Sequence, residues 1–178
     1  MKSLLRTAAV QLCLLILAGC ATPSGVVRNS SPVIIGKAVS LDFIRVETTS
    51  AVGGLAAEQQ LLSDLIVSEL RETQLFSSVS GNPADTNQAA GTKITAEIKA
   101  IHNVSDEART WAGALAGQAQ ILVQVTVTDL SSGSQIESFA AEGRSGKSAF
   151  AGITDEAIQQ AAAQIVAEVV KINAATAP

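Results

Sequence analysis

A chain of 178 residues has the length of one domain. Its net charge of −4, from 12 basic and 16 acidic side chains, has the wrong sign for phosphate polymers and anionic lipid surfaces. Four Phe, one Trp and no Tyr leave few platforms on which bases or sugars could stack. Two cysteines, Cys13 and Cys20, are too few for a disulfide framework.

In chain order the first element is a leader. Lys2 and Arg6 precede an apolar run over 8–18, and small residues follow it, which is the pattern of a secretory signal peptide over 1–19. The run is well short of the roughly 20 apolar residues that a membrane span needs. Leu17-Ala18-Gly19-Cys20 resembles the lipobox of bacterial lipoproteins. That resemblance implies cleavage before Cys20 and acylation of its thiol and new amino terminus, by diacylglycerol and an N-acyl chain such as palmitate. Each buried acyl methylene contributes roughly 0.8 kcal/mol, so several chains hold the protein to a membrane permanently. By analogy with lipoprotein sorting, Ala21 at the next position, in place of aspartate, directs the protein to the outer membrane, facing the periplasm. Cleavage removes Cys13, Lys2 and Arg6, leaving ten basic against sixteen acidic side chains and no pair of cysteines to join.

Residues 21–31 are polar, contain Pro23 and Gly25, and read as a flexible tether; with Cys20 they form a segment 20–31 ahead of a single periplasmic domain over 32–175. Residues 33–46 are rich in β-branched side chains, with Gly36 as a break. Gly53-Gly54 closes this stretch, and Leu62, Leu65, Ile66 and Leu70 predict a helix over 55–75. Phe76-Ser77-Ser78-Val79 predicts a short strand, followed by a loop over 81–92.

Alternation over 93–103 sets Ile94, Ala96, Ile98 and Ala100 on one face, with His102 continuing that face. Alternation is clearer over 118–129, where Ala119, Ile121, Val123, Val125 and Val127 oppose glutamines and threonines, with Leu122 the exception. Leu130-Ser131-Ser132-Gly133-Ser134 is turn chemistry, and 135–142 is the hairpin partner. A last helix starts near Thr154 as N-cap, with Asp155 and Glu156 in its first turn and an apolar stripe through Ile158, Ala161, Ala162, Ile165, Val169 and Ile172. The order β-α-β-β-β-α predicts an α+β fold, a small mixed or antiparallel sheet with two main helices packed on one face.

Catalytic constellations are missing from this pattern. His102 is the only histidine, and it reads as a strand-end residue with one ring nitrogen bonded to backbone. Zinc would require further imidazole or thiolate ligands, so no metal site is expected. No Gly-x-Ser-x-Gly elbow is present for a nucleophilic serine. Arg144-Ser145-Gly146-Lys147-Ser148 ends like a phosphate loop, lacks its first glycine and reads as a solvated loop. Adjacent carboxylates such as Asp155-Glu156 suit helix dipoles better than acid–base pairing. The remaining candidate is 109–117, where Arg109, Trp111, Gly113 and Gly117 form either a connection whose indole caps the core or a partner contact anchored by Trp111.

From Phe76 onward the order of features resembles a bacterial lipoprotein family known as domain of unknown function 4410. The matching pieces are 76–79, the Arg109…Gly113…Ala116-Gly117 segment, 123–129 with Ser132-Gly133, Gly143-x-Ser145-Gly146 and the helix opened by Thr154-Asp155-Glu156-Ala157-Ile158. The same order is more distantly similar to the curli-secretion lipoprotein, the TolB amino-terminal domain and lipoprotein activators of penicillin-binding proteins. These similarities imply envelope assembly through protein contact. They transfer no catalytic residue, and the chain lacks the long alternating segments of a pore-forming lipoprotein.

The expected protein is a membrane-anchored, non-enzymatic lipoprotein without a cofactor beyond its Cys20 lipids. It would bind an envelope protein or further copies of itself, and no nucleic acid. A periplasmic binding protein for a small apolar or lipid ligand, held between helix and sheet, is the alternative.

Overall fold

The computed structural model describes residues 27–28, 43–82, 84–85, 90–103, 118–146 and 154–176. Among them the element order is β1 (Val27–Arg28), β2 (Phe43–Ser50), α1 (Ala56–Glu72), β3 (Ser78–Ser80), β4 (Thr92–His102), β5 (Gln120–Asp129), β6 (Gln135–Arg144) and α2 (Thr154–Thr176). The strands form one mixed sheet in the order β1-β6-β5-β4-β2-β3. β2 pairs parallel with both β3 and β4, while β4, β5, β6 and β1 succeed one another antiparallel. A parallel neighbour needs a long crossover, and α1 supplies it between β2 and β3.

Period-two alternation gives the sheet one apolar face. Ile94, Ala96 and Ile98 on β4 meet Val127, Val125 and Val123 on β5, and Phe139 and Ala141 on β6 continue the layer. Both helices lie over this face and touch one another, α1 above β2 and β3, α2 above β5 and β6. α1 buries Leu62, Ser63, Ile66, Val67 and Leu70 at three- and four-residue steps. It ends three residues before the expected Leu75. Gln74 turns left-handed at φ 56°, and the Thr73 hydroxyl donates to the Leu70 carbonyl at 2.7 Å.

α2 buries Ala157, Ala161 and Ala162 beside Ile158, Ile165, Val166 and Val169, and the small side chains let it sit close on β6 where Gly143 has no side chain. Polar groups fasten the same seam. The Gln164 carboxamide accepts from the Glu142 amide at 3.3 Å and donates to its carbonyl at 2.8 Å, and Gln160 accepts from the Arg144 amide at 3.3 Å. Glu156, in the first turn, accepts from the Gly146 amide at 2.9 Å. Thr154 donates its hydroxyl to Asn103 at 2.8 Å, tying the start of α2 to the end of β4. At the opposite edge of the sheet Arg71 of α1 donates to the Val79 carbonyl through Nε at 3.2 Å and Nη2 at 2.7 Å.

The β5–β6 turn is organised by Asp129, whose Oδ1 accepts from the Ser131 and Ser132 amides at 2.7 and 3.2 Å, with Gly133 at φ 68°.

Three sequence expectations need correction. Val27 and Arg28, assigned to the tether, pair with Ala140 and Phe139 as β1, so the fold begins inside that segment. Ser145, assigned to a solvated loop, is 1% exposed, and its hydroxyl accepts from the Ala119 amide at 2.9 Å while its own amide donates to the Ala119 carbonyl. His102 does not continue the face of Ile98. Pairing slips between Ile98 and Ala100, so Lys99 is an extra residue, a β-bulge, and Ala100 and His102 turn outward while Ile101 turns in beside Ile121.

Candidate functional site

The sheet face without helices is the surface most open to chemistry. Polar alternation builds it: Arg45 and Glu47 from β2, Lys93, Thr95 and Glu97 from β4, Gln124, Thr126 and Thr128 from β5, Ser138 from β6. Most of these side chains are half-buried against their cross-strand neighbours. Glu47 takes both Arg45 Nε at 3.1 Å and Lys93 Nζ at 3.7 Å, so one carboxylate ties two strands. Lys99 pairs with Glu97 at 2.6 Å. Gln124 Nε2 donates to the Ser138 hydroxyl at 2.9 Å and the Phe139 carbonyl at 3.1 Å.

One corner of this face differs in character. The bulge at Lys99 brings Ala100 and His102 outward beside Leu122 and Gln120, above Glu142 of β6. Together with Ile101 and Ile121 they line a shallow depression of about 360 Å³. Leu122 is 40% exposed, a large apolar side chain on an otherwise polar face. Arg144 grips the lining Glu142 at Oε1 through Nε and Nη2, each at 2.8 Å. That hydrogen bond raises the guanidinium pKa above its ordinary value.

His102 is exposed and stands at the end of β4, where the bulge places it outside the core. Among the described residues no three histidine, cysteine or carboxylate side chains gather as metal ligands. No helix among them is long and apolar enough to cross a membrane. Cys20, Arg109, Trp111, Gly113 and Gly117 lie outside the described residues.

Leu122 and the corner around it are not among the site residues expected from the sequence. Two signals mark them. Leu122 breaks the alternation of β5, and Ile101 falls an odd number of residues after Ile98, which is what one inserted residue does to a strand's phase.

The fold has relatives among solved structures. A PelC dodecamer from Paraburkholderia phytofirmans is 14% identical, with 80% of this chain and 95% of that one covered, at a TM-score of 0.52. A hypothetical protein from Chlamydia trachomatis is also 14% identical, with 75% and 99% covered, at a TM-score of 0.53. At such identity the likeness is one of fold. No curated protein matches the chain. The family described as domain of unknown function, DUF4410, matches residues 47–163, from the middle of β2 into α2. That stretch is well over half of the sequence, and the chain belongs to the DUF4410 family.

Proposed function

We propose that this protein is a lipid-anchored, non-enzymatic interaction module of the bacterial cell envelope. Cys20 carries the lipid, the outer membrane holds it, and the domain faces the periplasm. Its partner is a further copy of the chain or another envelope protein, met in assembly or regulation. The observation that carries this reading is the helix-free face, a flat lattice of half-buried threonines, glutamines and paired charges spanning β2, β4, β5 and β6. Such a face offers area and pairing specificity, and its ion pairs are already satisfied within the chain. The PelC relative is a dodecamer, which favours a second copy as the first partner to seek.

The alternative, an apolar ligand between helix and sheet, finds less support. The layer between the helices and β4–β6 is filled by fully buried side chains such as Ile66, Ile98, Val123 and Ile165. A cleft does open between α1 and β2. Its walls include Thr48, Gln59, Gln60 and Ser63 beside Val46 and Ala56, a mixed lining rather than an apolar one.

In-cell crosslinking tests the reading. A photo-crosslinking side chain at Thr126, on the helix-free face, is expected to capture a second copy or an envelope protein. The same group at Ser68, exposed on α1, is expected to capture far less. Monomer alone at both positions refutes the interaction role. Cys20→Ser is expected to move the protein out of the membrane fraction, and unchanged partition refutes the anchor.

A further inference from the structure

The chain enters the sheet at a defined place. β1 lies on the outer edge of β6, and six residues, 21–26, separate Val27 from Cys20. Fully extended, that link spans at most about 24 Å. The β6 edge is therefore held near whatever Cys20 is embedded in, while β3, five strand spacings away across the sheet, stands about 24 Å further off.

Direction matters as much as distance. β1 is antiparallel to β6, with Val27 opposite Ala140 and Arg28 opposite Phe139, so stepping back from Arg28 to Val27 moves toward Arg144. At Val27 the strand therefore points back toward the end of the sheet that holds Glu142, Leu122, Gln120 and His102. Leu122, paired with Glu142, lies two strands in and two residues along from Val27, about 12 Å by strand geometry. The β5–β6 turn lies the other way, about 17 Å below Ala140.

We propose that the corner of the sheet formed by Gln120, Leu122, Glu142 and Arg144 lies against the lipid surface that carries the Cys20 anchor, with the domain standing on its β6 edge. This rests on the lipid-anchor reading above. The occupant follows from the short link, the direction of β1 at Val27 and the exposed Leu122 with Ala100 beside it, the apolar part of an otherwise polar face. An exposed leucine between a paired Glu142–Arg144 and a glutamine matches a lipid headgroup layer, where apolar and polar groups are both solvated. In this pose the polar part of the helix-free face looks along the membrane plane, toward neighbouring anchored proteins.

The test uses the full lipidated chain. After cleavage Cys20 is the only cysteine and it is acylated, so single introduced thiols label cleanly. Gln120→Cys and Leu122→Cys report the corner, and Leu75→Cys and Ser132→Cys report the far edge and the far turn, all four being exposed positions. Each is labelled with bimane and reconstituted in phosphatidylethanolamine–phosphatidylcholine vesicles that contain a headgroup-nitroxide lipid. Circular dichroism checks that each variant folds. Quenching severalfold stronger at 120 and 122 than at 75 and 132 is the expected result. Equal quenching at all four positions overturns the pose. A label at 122 shielded from both the nitroxide lipid and aqueous iodide also overturns it, and assigns the corner to protein contact. The mass of the mature protein separates the two failures. Acylated protein with uniform quenching refutes only the pose, whereas a chain without acyl groups removes the anchor reading and the pose with it.

Discussion

Replacing Gly143 by alanine asks whether α2 is truly seated on β6. A Cβ at this position would stand 1.8 Å from the Ala157 carbonyl oxygen, 2.8 Å from the Ala157 carbonyl carbon and 2.9 Å from the Ala161 nitrogen. All three neighbours are helix backbone, so no side chain can swing aside. Relief requires the first turns of α2 to lift from the sheet by more than an ångström. That movement also stretches the Gln160 and Gln164 bonds to Arg144 and Glu142. Overpacking of a filled core costs about 1–3 kcal/mol when side chains can adjust, so a backbone clash belongs at or above about 3 kcal/mol. For a domain of this size that is a fall of about 6–12 °C in midpoint. Urea titration and thermal circular dichroism of the soluble domain read it directly. Gly53→Ala is the control, because a Cβ there meets nothing within 4 Å and the glycine needs no left-handed backbone. A Gly143→Ala protein within about 0.5 kcal/mol of wild type, the range of ordinary surface changes, would refute the seating of α2.

Other perturbations probe separate parts of the molecule. Ser145→Ala removes the acceptor of the buried Ala119 amide and is expected to destabilise the domain by about 1–3 kcal/mol in urea titration. A smaller loss would mean that water replaces the hydroxyl. The Glu69 carboxyl on α1 is raised above its ordinary pKa by burial and then by the nearby Glu72 charge. The folded state therefore holds this proton more tightly than the unfolded chain, and stability falls as pH rises through the raised pKa. Glu69→Gln is expected to stabilise the protein at neutral pH by a fraction of a kcal/mol, since the group is partly solvated. That gain should vanish below the usual carboxylate range, and a gain independent of pH would point to packing instead.

Local periodicity carried most of the fold. Residues 118–129 alternate so regularly that the inward set of β5, Ile121 through Val127, can be read directly from them, and the stripe from Ile158 to Val169 likewise marks the buried side of α2. What escaped depends on contacts distant in sequence. β1 is two residues long, too short for any period, and exists only because β6 lies beside it. The slot of β2 between β4 and β3 depends on how α1 packs, which no strand encodes by itself. The outward turn of His102 was lost for a different reason. Counting by twos through Lys99 passes over the one inserted residue, although Ile101 records the change of phase. The corner around Leu122 was missed with it, because that corner exists only after the bulge has brought Ala100 and His102 to the outer face.

The helix side chains that reach the sheet have one more consequence. Gln164 meets both the amide and the carbonyl of Glu142, as the backbone of an added strand would, and Gln160 meets the amide of Arg144. Across the sheet the Arg71 guanidinium occupies the carbonyl of Val79 in β3, itself only three residues long. The stretch of β6 beyond β1 and the Val79 carbonyl of the edge strand β3 therefore have backbone groups already engaged by helix side chains. An unguarded strand margin is where encounters between molecules turn into runaway β-aggregation. Here an incoming strand would first have to displace charged or bidentate bonds.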